Sequence, residues 1–270
     1  MFKHKGFVLL MVTLLVASLV LGVVGCGQKT EPPKEPAKQA GEPAKQPSKK
    51  LVVGTDATYP PMEFHEKTGD KDVIVGFDID FATALAKEMG MEVEFKDTAW
   101  DGIIPALQGG KFDMIVSSMT ITDERKKTVN FSDPYFEAGQ IIAVRPDNTT
   151  ITKLEDLAGK RIGVQIGTTG DEMATKETKG KVQRFNTISD AFMALEQGRV
   201  DAVLNDKQVA EYYIKKGAKV KTVGPLYSKE YYGIAIKKEN TELLKQVNDA
   251  LKKLKDSGKY QEIYNKWFGK

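Results

Sequence analysis

Residues 51–270 predict an α/β protein built as two lobes with mostly parallel sheets. Three observations carry that prediction. Short β-branched runs alternate with amphipathic helical patterns along the whole segment. One αβ unit occurs twice at a constant offset of 88 residues, as LQGGKFDMIVSS (107–118) and LEQGRVDAVLND (195–206). The segment's 220 residues suffice for two lobes or one large domain. Two common αβ units can also look alike by chance, so the repeat alone leaves both organisations open.

The elements follow in order. Strands are predicted at 51–54, 93–95, 113–116, 141–144, 161–164, 182–185, 202–204 and 233–236. Helices are predicted at 78–89, 101–107, 169–177, 189–197, 208–215 and 241–256. The helix after Thr187 is well marked. Thr187 is a candidate N-cap with Asp190 three residues on, Ile188, Phe192 and Leu195 form an apolar face, and Gly198 ends it. In the repeat, each copy is a helix end, a glycine stop, a strand, and a polar pair just past the strand. Ligands of open α/β sheets bind at such strand tips. A cleft between two such lobes would be lined by Ser117 and Ser118 on one side and Asn205 and Asp206 on the other.

Residues 1–50 differ in composition. Lys3, His4 and Lys5 precede an apolar run from Phe7 to Val24, which reads as a secretory signal. The run ends in Val23-Val24-Gly25-Cys26, and Cys26 is the chain's one cysteine. A lone thiol cannot form an internal disulfide, nor can one sulfur build a zinc site. This ending resembles the bacterial lipobox, so 1–25 reads as a lipoprotein signal peptide and Cys26 as the lipid attachment point. The other reading is an uncleaved anchor, since 18 apolar residues can just span a bilayer. Either way the rest of the chain is exported. After Cys26, residues 27–50 hold five of the eleven prolines, six lysines and no aromatic residue. With Cys26 they read as a disordered tether.

Charge narrows the partners. The whole chain is +3. Removing the leader's two lysines and the tether's six lysines and three glutamates leaves 32 basic against 34 acidic residues, a body of −2. A nucleic-acid footprint is therefore not expected. The body holds one histidine, His65, in a turn-like setting, and no cysteine. Neither a metal site nor a cofactor is expected, and a Cys–His or Ser–His triad would need His65 as base.

GFDIDFATALAKEM (76–89) resembles the signature of the bacterial extracellular solute-binding proteins of family 3, which bind polar and basic amino acids. GTDATYPPMEF (54–64), residues 103–136, GVQIGTTG (163–170), VDAVLND (200–206) and SGKYQEIYNKWFG (257–269) are similar to the family in the same order. The resemblance implies a periplasmic-binding-protein-like fold. Residues 51–136 and 234–270 would form lobe 1, 140–230 lobe 2, with hinges near 135–140 and 228–233. The signature itself also has an architectural reading. Asp78 and Asp80 suit a helix start, and Phe81, Leu85 and Met89 pack at helical spacing.

A zwitterion taken from water needs an anion binder, a cation binder and satisfied hydrogen bonds. Arg125 is the natural carboxylate clamp, as in the family, with a surface helix charge as its other reading. Asp206 suits the α-ammonium, or caps the helix that follows. Ser117, Ser118 and Thr120 offer hydroxyls and carbonyls. Thr168 and Thr169 open a helix whose free N–H groups suit a carboxylate. The resemblance makes Tyr59 and Trp100 the aromatic walls, although such residues also serve as core. It gives Asp56 the polar end of the ligand side chain. Glu63 is either structural or a support to the site. Gln165 stands where glutamine binders of the family carry lysine, and Asn205 where they carry histidine. Both departures favour a basic ligand, arginine first.

The expected function is therefore a lipid-anchored, monomeric receptor on the outer face of the cell membrane. It would hand a basic amino acid to an ABC permease driven by a cytoplasmic ATPase. A glutamine or other polar amino-acid binder is the alternative. A cyclohexadienyl dehydratase-like enzyme on the same fold would need a protonated acid in the cleft, with Asp56 and Glu63 as candidates. A sensory module would need a following transmembrane helix or kinase domain, which 257–270 does not lead into.

Overall fold

The computed structural model describes residues 49–269. The expected signal peptide (1–25), Cys26 and the expected tether up to residue 48 lie outside the described residues. Lys50, placed in the tether by composition, is instead the first residue of a strand.

That strand, β1 (Lys50–Thr55), buries Leu51 and Val53. An antiparallel sheet follows, made of β2 (Thr58–Tyr59), β3 (Glu63–Thr68) and β4 (Lys71–Val75). The chain continues through α1 (Phe77–Glu88), β5 (Glu92–Asp97), α2 (Trp100–Gln108), β6 (Met114–Ile115), α3 (Asp123–Lys126) and β7 (Val129–Phe131). It crosses on β8 (Phe136–Ala138). A second set comprises β9 (Gln140–Val144), β10 (Arg161–Gln165), α4 (Thr169–Glu177), β11 (Lys181–Phe185), α5 (Ile188–Glu196), β12 (Ala202–Asp206), α6 (Lys207–Lys215) and β13 (Lys221–Val223). The chain returns on β14 (Glu230–Tyr232), which pairs antiparallel with β8. It closes with β15 (Ala235–Lys237), α7 (Thr241–Asp256) and α8 (Lys259–Phe268).

Two five-stranded sheets result, ordered β5-β1-β6-β15-β7 and β11-β10-β12-β9-β13. They are mixed rather than mostly parallel. β1 pairs parallel with β5 and β6, and β10 with β11 and β12. The strands that follow the crossings, β15 and β9, run antiparallel to both neighbours. Each enters from the other lobe without a helical crossover, the connection a parallel strand requires.

The sequence repeat is also a structural one. Asp113 Oδ2 accepts the N–H of Val52 at 2.8 Å, and Asp201 Oδ2 accepts that of Arg161 at 2.9 Å. Each aspartate thus ties the end of its αβ unit to the first parallel strand of its sheet. Gly110 and Gly198 both take positive φ, 75° and 70°, as glycine permits at a helix end. Thr187 caps α5, its hydroxyl accepting from Asp190 N–H.

Two local expectations change. His65 lies in β3 rather than a turn, exposed between Asp72 and Asp97 at 3.1 and 3.0 Å. Asp78 does not cap α1, whose N-cap is Gly76, and its carboxylate is fully buried. Among the described residues no helix is long and apolar enough to cross a membrane.

Candidate functional site

The strand tips build the site. Asp56 follows β1, Ser117 and Ser118 follow β6, Gln165 ends β10, and Asn205 and Asp206 end β12. All face one cavity between the sheets. Tyr59, Trp100, Thr120, Arg125, Thr168 and Thr169 line it too, so the structure brings all eleven predicted ligand residues together. A larger open groove lies between α6, α8 and β8, lined by Lys207, Tyr212, Lys215 and Trp267 among others. It holds none of the predicted residues and no convergent set of buried polar groups.

The two walls bond each other across the cavity. Gln165 Nε2 donates to Asp56 Oδ2 at 2.9 Å. Tyr59 OH donates to Asp206 Oδ2 at 2.6 Å and accepts from Asn205 Nδ2 at 2.8 Å. Trp100 Nε1 and Arg125 Nη2 both reach the carbonyl of Gly167 at 3.2 Å. Tyr59 is therefore both a wall and part of the core, with only 7 % of its surface exposed.

Arg125 sits in the one-turn α3, whose cap Thr122 accepts Arg125 N–H. The guanidinium turns inward rather than to solvent. Nη1 donates to Thr120 O at 2.8 Å, and the group lies 5.1 Å from the Trp100 ring centroid. Among the described residues no carboxylate comes within ion-pair distance of it. Burial lowers its pKa.

Asp206 occupies the N-cap position of α6 but makes no capping bond. Its Oδ2 accepts Tyr59 and Tyr232, and its Oδ1 accepts Gln140 Nε2 at 2.6 Å. Burial, then the nearby charge of Glu230, raises its pKa to about 7. Asp56 is raised to about 6 by burial, against the hydrogen bonds of Thr58 and Gln165. Thr168 is committed to its own helix, its hydroxyl accepting Asp171 N–H as the cap of α4. The N–H groups of Thr169 and Gly170 in the first turn of α4 have no acceptor within the helix, and Thr168 and Thr169 line the cavity.

Several residues of the site were not singled out from sequence. Gln140, beside the crossing strand β8, holds Asp206 and Thr169 together. Glu230 on β14 accepts Thr120 Oγ1 at 2.8 Å and Thr169 Oγ1 at 2.7 Å, so one carboxylate ties a threonine of each lobe. Their signal was only a polar residue within an otherwise apolar or turn-like crossing. Gln140 Oε1 and Asn205 Oδ1, on two residues that line the cavity, are buried acceptors with no donor among the described residues.

Residues 51–270 match the bacterial extracellular solute-binding proteins, family 3. The L-cystine-binding protein TcyJ of Escherichia coli strain K12 is 37 % identical over 222 residues, covering 81 % of this chain and 82 % of its own. The arginine-binding extracellular protein ArtP of Bacillus subtilis is 36 % identical over 260 residues, covering 94 % and 96 %. An ancestral arginine-binding protein solved with arginine is 51 % identical, with TM-score 0.77, covering 83 % of this chain and all of that one. An ancestral arginine-binding protein solved with glutamine is also 51 % identical, with TM-score 0.75, covering 82 % of this chain and 98 % of that one.

Proposed function

The chain belongs to the bacterial extracellular solute-binding proteins, family 3, and from that premise we propose that it captures a basic L-amino acid, arginine first, for an ABC importer. One observation carries the reading. Among the described residues Arg125 has no carboxylate partner, while Asp206 and Asp56 face the same cavity. A zwitterion with a cationic side chain satisfies all three. Its carboxylate goes to Arg125 and the α4 N-terminus, its ammonium to Asp206 and the free Asn205 Oδ1, and its side-chain cation to Asp56. Tyr59 and Trp100 flank the aliphatic stem. Glutamine is the second reading, supported by a similar ancestral arginine-binding protein solved with glutamine. Glutamine leaves the Asp56 charge without a counter-ion, which costs affinity in a buried site.

In this reading lobe 1 is 51–136 with 234–270, lobe 2 is 140–230, and β8 with β14 forms the hinge. Arg125 and Asp206 then stand on opposite lobes, and a ligand held by both favours the closed state. The closed form docks on a permease driven by its ATPase. The protein does no chemistry on its ligand, so neither prephenate nor arogenate yields an aromatic product. Cys26 is the lipid attachment point that keeps the receptor at the outer face of the cell membrane, and 27–49 is its tether. Labelled palmitate should enter the chain but not its Cys26→Ser variant. Labelling of both would exclude that anchor.

A crystal structure grown with L-arginine tests the central reading. Density running from Arg125 through Asp206 to Asp56 supports it. An amino acid seated in the reverse direction, or away from Arg125, overturns it.

A further inference from the structure

We propose that Glu63 and Asp78 form a buried acid pair holding a single proton, carried by Glu63 and donated to Asp78, and that this pair positions the Ser117–Ser118 wall of the cavity. The role in binding rests on the function proposed above. The protonation does not.

Glu63 and Asp78 are only 1 % and 0 % exposed. Neither makes an ion pair among the described residues. Yet they share a neighbour, because Ser118 Oγ lies 3.3 Å from Glu63 Oε2 and 3.4 Å from Asp78 Oδ2. Two adjacent buried carboxylates without a cation cannot both stay ionised. The hydrogen bonds say where the proton sits. Asp78 Oδ2 accepts Ser118 N–H at 2.7 Å and Tyr135 OH at 2.8 Å, which favours its anion. Asp78 Oδ1 is buried and receives no N–H or hydroxyl donor. Glu63 accepts only serine hydroxyls, Ser117 at 3.0 Å and Ser118 at 3.3 Å. A proton on Glu63 supplies the donor that Asp78 Oδ1 lacks.

Arg125 lines the same cavity as Glu63, but the main charged and phenolic influences on the pair among the described residues are acidic. Asp56 faces Glu63 from the β1–β2 loop, Tyr59 from β2, and Tyr135 and Tyr260 face Asp78. Burial, then Asp78, pushes Glu63 well above the carboxylate range. Asp78 rises to about 6, with Tyr135 and Ser118 holding it down.

The pair also explains a strained residue. Ser118 is the one non-glycine residue with positive φ, 47°, among the described residues. Its N–H aims at Asp78, and Ser117 Oγ, held by Glu63, accepts the N–H of Asp56 at 2.9 Å. The pair therefore fixes the backbone at Asp56.

Infrared difference spectra of the wild type and Glu63→Gln test this at about pH 8, where Asp56 and Asp206 are largely ionised. The wild type should show a protonated carboxyl C=O stretch that the variant lacks. No such band would overturn the shared proton. Glu63→Gln keeps a donor toward Asp78, so it should bind arginine about ten-fold more tightly than Glu63→Ala. Equal binding by the two would overturn the positioning role. If arginine binds neither the variants nor the wild type, the ligand reading has failed, and the infrared band still decides the proton.

Discussion

Tyr59 donates its phenol to Asp206 at 2.6 Å, from the antiparallel sheet beside the first lobe to the tip of a strand in the second. The carboxylate proposed to meet the ligand ammonium is thus already held by the opposite wall. Tyr59→Phe keeps the ring and removes both this bond and the acceptor for Asn205. A hydrogen bond to a charged group contributes about 1.5–3 kcal/mol. Calorimetry should show arginine affinity falling about ten-fold or more. An unchanged affinity would mean that this contact is incidental.

Arg125→Ala should weaken every amino acid together, by about 2–5 kcal/mol, because the carboxylate is common to all of them. Arg125→Lys should not restore binding. An ammonium cannot hold Thr120 O and Gly167 O in a planar fork, nor stack on Trp100 in the same way. Equilibrium dialysis with several amino acids checks both variants.

Asp56→Asn removes the charge at the far end of the cavity and leaves a group that can still bond Gln165 and Thr58. Arginine binding should fall about ten-fold or more, with glutamine affected much less. Equal losses in competition assays would remove Asp56 as the determinant of a basic ligand.

The site couples to pH in two opposite ways. Asp206 at about 7 and Asp56 at about 6 are raised, so the folded protein binds protons that the unfolded chain releases. Their contribution to stability is present below the unfolded carboxylate range and is lost as pH rises through about 6 to 7. The ligand-free melting temperature should decline from about pH 4 to about pH 7 and level off above. Binding runs the other way, since an ammonium favours ionised Asp206. Affinity should fall about ten-fold per pH unit below 7, and more steeply below 6 for arginine, which also needs ionised Asp56. For glutamine the second, steeper limb should be weaker. Titrations in matched buffers separate the two ligands by slope.

Part of this site was legible because two polar pairs sit at strand tips that a hydrophobic period can locate, and part because its motifs resemble a known family. Ser117 and Asp206 lie just past the predicted strands that end at 116 and 204, whereas Asp56, Tyr59, Trp100 and Gln165 were marked by the family resemblance. The supporting residues were harder to read. Asp78 looked like a helix-start residue, since Gly76-Phe-Asp fits a first turn, and only tertiary packing turns it toward Ser118 and Tyr135. Glu230 and Gln140 lie on or beside the crossing strands, which are too short for periodicity to mark. The antiparallel runs of β9 and β15 depend on which lobe the chain arrives from, and local pattern does not contain that. Strands β2 to β4 were missed because β3 is charged and largely exposed, as an outer hairpin can be.

The most direct test is a side-by-side calorimetric titration of the purified protein with L-arginine and L-glutamine at about pH 8, where Asp56 and Asp206 are both ionised. Arginine should bind at least about ten-fold more tightly, one molecule per chain, because it alone gives Asp56 a counter-ion. Tight glutamine binding with no heat from arginine would contradict this reading.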